Sequence, residues 1–155
     1  MTLNELLTKQ NFLSKIQLKN GNSELSKSLK VKVMSNRIEY AKVRKQFDED
    51  TQEFIKNLTD DHFRELQNKA DKTEEENAEL KKLTDEANES YIEYVNGKGL
   101  EEVSCKEKPL TESDFEEILE VNADNDVEIN GNKLNAADFL EIFYTLFIEQ
   151  NEQKD

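Results

Sequence analysis

Two side chains in this chain have the types needed for nucleophilic or metal chemistry, His62 and Cys105, and each is the only residue of its kind. A zinc site needs three or four such ligands. A Cys–His nucleophile pair needs a third group to orient the base, and the sequence indicates none. The simpler reading puts His62 in the first turn of a helix and makes Cys105 a small half-buried apolar residue.

The stretch from Asn122 to Lys133 carries oxygen side chains at its first, third and fifth positions, Asn122, Asp124 and Asp126, with Ile129 at the eighth. That is part of a calcium-loop pattern. The sixth position is Val127, where the turn needs Gly, and the twelfth is Lys133, where a bidentate Glu should close the site. No calcium binding is therefore expected, and the segment reads as a polar turn entering a β-hairpin. Carboxylates are abundant, but no pair stands out. The runs Glu74-Glu75-Glu76 and Glu116-Glu117 read as solvated helix faces. Neither a GxxxxGK[ST] nor a GxGxxG phosphate loop is present. No catalytic, metal or cofactor site is expected, and the chain reads as a non-enzyme.

The charge is more informative than the motifs. Residues 1–47 carry ten Lys/Arg against three Asp/Glu, a balance of +7, while residues 48–155 carry eleven against thirty-two, a balance of −21. A split of this size gives a positive end and a negative body, a field that acts on macromolecular partners. Hydrophobic residues make up 35% and charged residues 36%, with a mean hydropathy of −0.90. That composition cannot fill a thick core, but helical hairpins need only a narrow apolar stripe per helix. Eight Phe and four Tyr, mostly at helical spacing, argue against disorder. One Cys excludes an internal disulfide and suits a reducing compartment. The N-terminal sequence lacks the pattern of a signal peptide. No apolar run approaches the roughly 18 residues a membrane span needs. A cytoplasmic protein with no membrane contact is expected.

The elements follow from periodicity. A first helix is predicted from Thr2 to Ile16, with Thr2 and Glu5 as a capping box and a turn at Asn20-Gly21. A long helix starts near Ser23 and runs toward Leu58. Its seam is Leu25, Leu29, Val33, Asn36, Tyr40, Val43, Phe47, Thr51, Phe54 and Leu58, all at steps of three or four. A second stripe, Val31, Met34, Ile38 and Ala41, lies nearly opposite at about 100° per residue. Something must cover it, and a homo-oligomer, most simply a dimer, is expected.

A break at Thr59 to His62, with Asp60 and Asp61 suited to a helix start, precedes a further helix. That helix is capped by Thr73 and Glu76 and carries Leu80, Leu83, Ala87, Tyr91 and Tyr94. Asn96-Gly97-Lys98-Gly99 is expected to end it through residues that tolerate positive φ. The remainder reads as a weak strand near Val103 and Cys105, a break at Pro109, and a short helix from Thr111. A hairpin turning at Asn130-Gly131 follows, then a strongly apolar last helix from about Asn135 to Gln150, with fraying over 151–155. The predicted fold is mainly α: a long antiparallel helical hairpin with a small C-terminal helical or α+β cap. Residues 1–99 form the first helix and hairpin and 100–155 form the cap, the two expected as one structural unit.

Three sets of residues are candidates for interaction. The first is the stripe Val31, Met34, Ile38. The second is the basic series Lys30, Arg37, Arg44, which repeats every seven residues with Lys27 and Lys45 nearby. That series could grip phosphate. With mostly Lys, no interleaved aromatic and a negative remainder, direct nucleic-acid binding is not expected. The series is expected to pair with acidic residues of the returning helix (Glu75, Glu79, Asp85, Glu86, Glu89) or of a neighbouring copy. The third is the row Phe139, Phe143, Phe147 on the last helix, which reads either as a core anchor or as an exposed aromatic interface.

The order of these segments resembles a family of small uncharacterised proteins of tailed phages of Gram-positive bacteria. The resemblance rests on Asn11-Phe12-Leu13, the turn Leu18-Lys19-Asn20-Gly21, the long basic-then-acidic helix with Arg37 and Arg44, the run Asp126 to Ile129, and Asp138 to Phe147. The insertion from Thr73 to Tyr94 is longer than the pattern leads one to expect. The resemblance implies a phage origin and brings no catalytic residues. The expected function is that of a non-enzymatic accessory or assembly protein with a protein partner. The rival expectation is an acidic, DNA-mimic-like inhibitor of a host defence or nucleic-acid-binding enzyme.

Overall fold

The computed structural model describes residues 1–152, with the side chain of Glu152 excluded. Most of the predicted fraying segment, 153–155, lies outside the described residues. The chain is mainly helical. Helix α1 spans Leu3–Leu13 and α2 spans Lys27–Leu58. Helix α3 spans Asp61–Asn68, α4 Glu74–Gly99, α5 Glu112–Asn122 and α6 Ala136–Tyr144. A π-helical turn, Thr145–Glu149, and a last short helix α7, Gln150–Glu152, continue α6. Two antiparallel hairpins complete the fold: β1 (Lys19–Asn20) with β2 (Ser23–Glu24), and β3 (Val127–Ile129) with β4 (Asn132–Leu134).

The helix starts obey local chemistry. Thr2 with Glu5, Thr73 with Glu76 and Thr111 with Asp114 each form a reciprocal capping box, and the Asp60 carboxylate accepts from the Phe63 amide at 2.9 Å. The long helix begins at Lys27 behind an Ser26 cap rather than near Ser23, because residues 19–24 turn through Gly21 at φ 61° into the first hairpin. The expected end of α4 is corrected. Gly97 and Gly99 are helical, and the glycines with positive φ are Gly21 and Gly131. Gly99 serves another purpose: a Cβ there would meet Asn4 Oδ1 at 2.4 Å, so the glycine lets α1 approach α4. The strand near Val103 reduces to one bridge, Thr2 with Glu102.

The core gathers α1, the first half of α2, Leu110, α5, Ile129, α6 and the π turn. It takes buried and packed residues from both sides of position 99 but none between Val43 and Val103. The chain is thus a head built from its two ends, carrying the hairpin of late α2, α3 and α4. The hairpin is thin. Its seam is closed by Phe54 stacked on Tyr94 at 4.1 Å between ring centres, and by Leu66, the buried residue of α3.

Candidate interaction surface

Helix α2 presents two opposite faces to two different environments. Leu29, Val33, Asn36 and Tyr40 are fully buried in the head. On the other face Val31 is 50% exposed, Met34 51% and Ile38 56%, and Ala41 continues the row. Neither the first helix nor the C-terminal elements cover this row. Three large apolar side chains at half exposure on consecutive turns are what a docking face requires.

The basic series has separate local partners. Arg37 is half-buried and reaches across to α1: Nε and Nη2 donate to the Leu13 carbonyl at 3.2 and 3.0 Å, and Nη2 donates to the Ile16 carbonyl at 2.7 Å. It caps the chain leaving α1 at the Ile16 carbonyl and at the Leu13 carbonyl, which also accepts the Ile16 amide at 3.3 Å. Lys30 pairs with Glu24 on β2. Arg44 donates to the Gln10 side chain at 3.2 Å and lies 3.9 Å from Asp48 one turn along its own helix. The expected pairing with acids of the returning helix is corrected: these three cations are answered by α1, β2 and α2 itself. The acidic residue of that set with a cross-helix partner is Glu79, which bonds His62 at 2.8 Å.

The aromatic row is core. Phe139 and Phe143 are 0% exposed and Phe147 1%, which corrects its assignment as an exposed interaction row. Phe143 stacks on Phe147 at 4.4 Å, and Phe139 stacks on Phe12 of α1 at 5.6 Å. The π turn makes this arrangement continuous. By widening the helix after Tyr144, it keeps Phe147 and Ile148 both buried below Phe139, Leu140 and Phe143.

The site that residue patterns alone do not reveal lies beneath the segment 101–110. Glu107 Oε1 accepts from Lys9 Nζ at 2.7 Å and from the Tyr40 hydroxyl at 2.5 Å. Lys9 is 4% exposed, and its ammonium sits 5.1 Å from the centre of the Phe147 ring. Burial, with Glu107 beside it, pushes the Tyr40 hydroxyl well above the usual phenol range. Next to this cluster Asn36 holds the backbone of Lys108 at both polar atoms, Nδ2 to the carbonyl at 2.8 Å and Oδ1 from the amide at 2.7 Å. The amides of Leu3 and Val103 bond the carbonyls of Glu101 and Met1 at 2.9 Å each. Together these bonds strap residues 101–110 to α1 and α2. The available signals were Lys9 on the apolar face Leu6–Lys9–Leu13 and Asn36 within an apolar seam. Nothing local marked Glu107.

The fold does not bring His62 and Cys105 together. Burial pushes the Cys105 thiol up, with Glu107 and Glu39 adding to the effect, so the thiolate is disfavoured. Cys105 packs against the head core, whereas His62 pairs with Glu79 at the far end of the hairpin. The calcium-like segment is engaged by the fold. Asn122 Oδ1 accepts from the Gln17 amide at 2.8 Å and from Asn125 at 2.9 Å, Asp124 accepts from Asn20 at 2.7 Å, and Asp126 accepts from the Ala136 amide at 2.9 Å. Among the described residues no group of three or more His, Cys, Asp or Glu is placed to hold a metal ion. No helix among them is long and apolar enough to cross a membrane.

Comparison with known proteins returned no match: no family model, no curated protein and no solved structure is significantly similar to this chain.

Proposed function

We propose that this chain is a phage-encoded, non-enzymatic accessory or assembly protein that acts in the host cytoplasm by binding another protein. The phage origin follows from the resemblance of segment order. The observation that carries the binding role is the uncovered row Val31, Met34, Ile38 on a helix whose opposite face is fully buried. A head pinned by a buried ion pair and two-pronged backbone bonds can hold that row rigid, and a rigid apolar row loses little entropy on binding.

The test is a photo-crosslinking residue placed at Met34, with a control at Glu89 on α4, in a Gram-positive host infected by a tailed phage carrying the gene. A single protein adduct at Met34 is the expected result. Adducts at Glu89 alone would transfer the role to the acidic hairpin. That outcome would favour the second reading, an inhibitor occupying a nucleic-acid-binding site, which draws support from the exposed carboxylates along α4 such as Glu75, Asp85 and Glu89. Binding through that surface would collapse with added salt.

A further inference from the structure

We infer that the exposed row on α2 docks an acidic amphipathic helix of another protein, one that offers an apolar residue per turn with Asp or Glu on both sides. The inference rests on the binding role proposed above and specifies the partner's chemistry.

The row is framed by cations. At 100° per residue, Lys27 and Lys45 fall in line with the row at its two ends, and Lys30 and Lys42 fall on its two borders. The side chains of Lys42 and Lys45 are 67% and 79% exposed, and Lys27 is exposed; Lys30, Lys42 and Lys45 each have one carboxylate in reach, Glu24, Glu39 and Glu49. From Leu25 to Lys45 the chain has seven Lys or Arg against one acidic residue, Glu39. From Lys27 to Lys45 the framed face is about 27 Å long, five turns of helix. A protein with a net charge of −14 therefore places an apolar row inside a locally positive frame.

That frame discriminates among occupants. A second copy docking antiparallel would match Val31 with Ala41 and Met34 with Ile38. The same register places Lys27 against Lys45 at both ends, two like-charge contacts in a symmetric dimer. A parallel register places Lys27 and Lys45 each beside its own copy. An anionic membrane would suit the lysines, but the −21 body on the same molecule opposes approach to a negative surface. Nucleic acid offers phosphate but nothing to cover Met34 and Ile38. A helix with apolar residues at i, i+3 and i+7 and flanking carboxylates satisfies both the row and its frame, as flanking charges do in paired helices.

The probe is a fluorescent helical peptide of about 20 residues, with Leu at those positions and Glu on both flanks, titrated against the full chain by anisotropy. A second peptide with Lys in place of Glu is the control. The Glu-flanked peptide should bind, more weakly as salt rises, and the Lys-flanked peptide should not. Met34→Glu and Ile38→Glu should each weaken binding by about thirtyfold or more, as loss of a central contact does, with the melting temperature unchanged. No binding of the Glu-flanked peptide, equal binding of both peptides, or binding that survives both substitutions overturns the inference. So does a concentration-dependent dimer in light scattering that Met34→Glu dissolves, or retention on phosphatidylglycerol vesicles that Met34→Glu abolishes. If the peptide fails while Met34 still crosslinks to a protein in infected cells, only the acidic-helix assignment falls. If both fail, the binding role falls with it.

Discussion

The Tyr40 hydroxyl donates to Glu107 Oε1 at 2.5 Å, and Lys9 Nζ meets the same oxygen at 2.7 Å. One carboxylate thereby ties α1, α2 and the segment between α4 and α5 together inside the head. The side chains of Lys9 and Glu107 are only 5% and 14% exposed, so neither charge has much water to fall back on. Glu107→Ala should destabilise the protein by about 3–5 kcal/mol, because it leaves a buried ammonium without its counter-ion. The double replacement Lys9→Met with Glu107→Leu should recover part of that loss, the remainder being the Tyr40 hydroxyl left without its acceptor. Urea denaturation of the single and double variants checks this. Equal losses in both would mean that the network, not the stranded charge, carries the cost.

Phe143 contributes through packing rather than binding. It is fully buried between Phe139, Phe147 and Phe115. Phe143→Ala should cost about 3–5 kcal/mol and lower the melting temperature sharply in calorimetry. A variant that melts like the parent would place the core elsewhere.

Arg37 and Arg44 sit seven residues apart on one helix but should behave differently. Arg37→Ala removes three bonds to the carbonyls of Leu13 and Ile16, at and just beyond the end of α1, and should cost about 2–3 kcal/mol, the range for hydrogen bonds from a charged group. Arg44, exposed and paired within its own helix and with Gln10, should tolerate Ala within about 0.5 kcal/mol. Thermal melts of the two variants decide it, and hydrogen exchange in α1 should rise for Arg37→Ala alone.

His62 gives the hairpin tip a pH dependence of known sign. Its bond to Glu79 raises its pKa above the ordinary 6.5, with Asp60 and Glu65 adding to the shift. A raised folded-state value means the contribution is complete below 6.5 and is lost as pH climbs through the folded-state pKa. An NMR titration should place the imidazole above 6.5, and Glu79→Gln should return it toward that value. Local exchange in α3 should quicken over the same window. A titration at or below 6.5 in the parent chain would exclude the pair in solution.

Four helix starts and the two-faced character of α2 were legible in the sequence because both are local; the start of α2 itself moved from near Ser23 to Lys27. A cap is decided within four residues, and a stripe is decided by 3.6-residue periodicity, so Thr2, Asp60, Thr73 and Thr111 and the opposite rows of α2 needed no tertiary information. The exposure of Val31, Met34 and Ile38 was not legible. The sequence requires only that an apolar row be covered by something, and the packing of α1 and the C-terminal elements on the other face decided that nothing within the described chain covers it. The same limit explains Arg37. Its place in a seven-residue basic series suggested an acidic partner, but the guanidinium has five donors, and the fold sets it against the carbonyls of Leu13 and Ile16 where the chain leaves α1. Gly99 looked like a helix stop and proved to be a contact point, because a missing Cβ serves either purpose and only the position of Asn4 tells which. Glu107 had no signature at all. It is one carboxylate among thirty-five acidic residues, and what sets it apart is the water it loses when residues 101–110 close over Lys9 and Tyr40, a property of the folded head that no local pattern records.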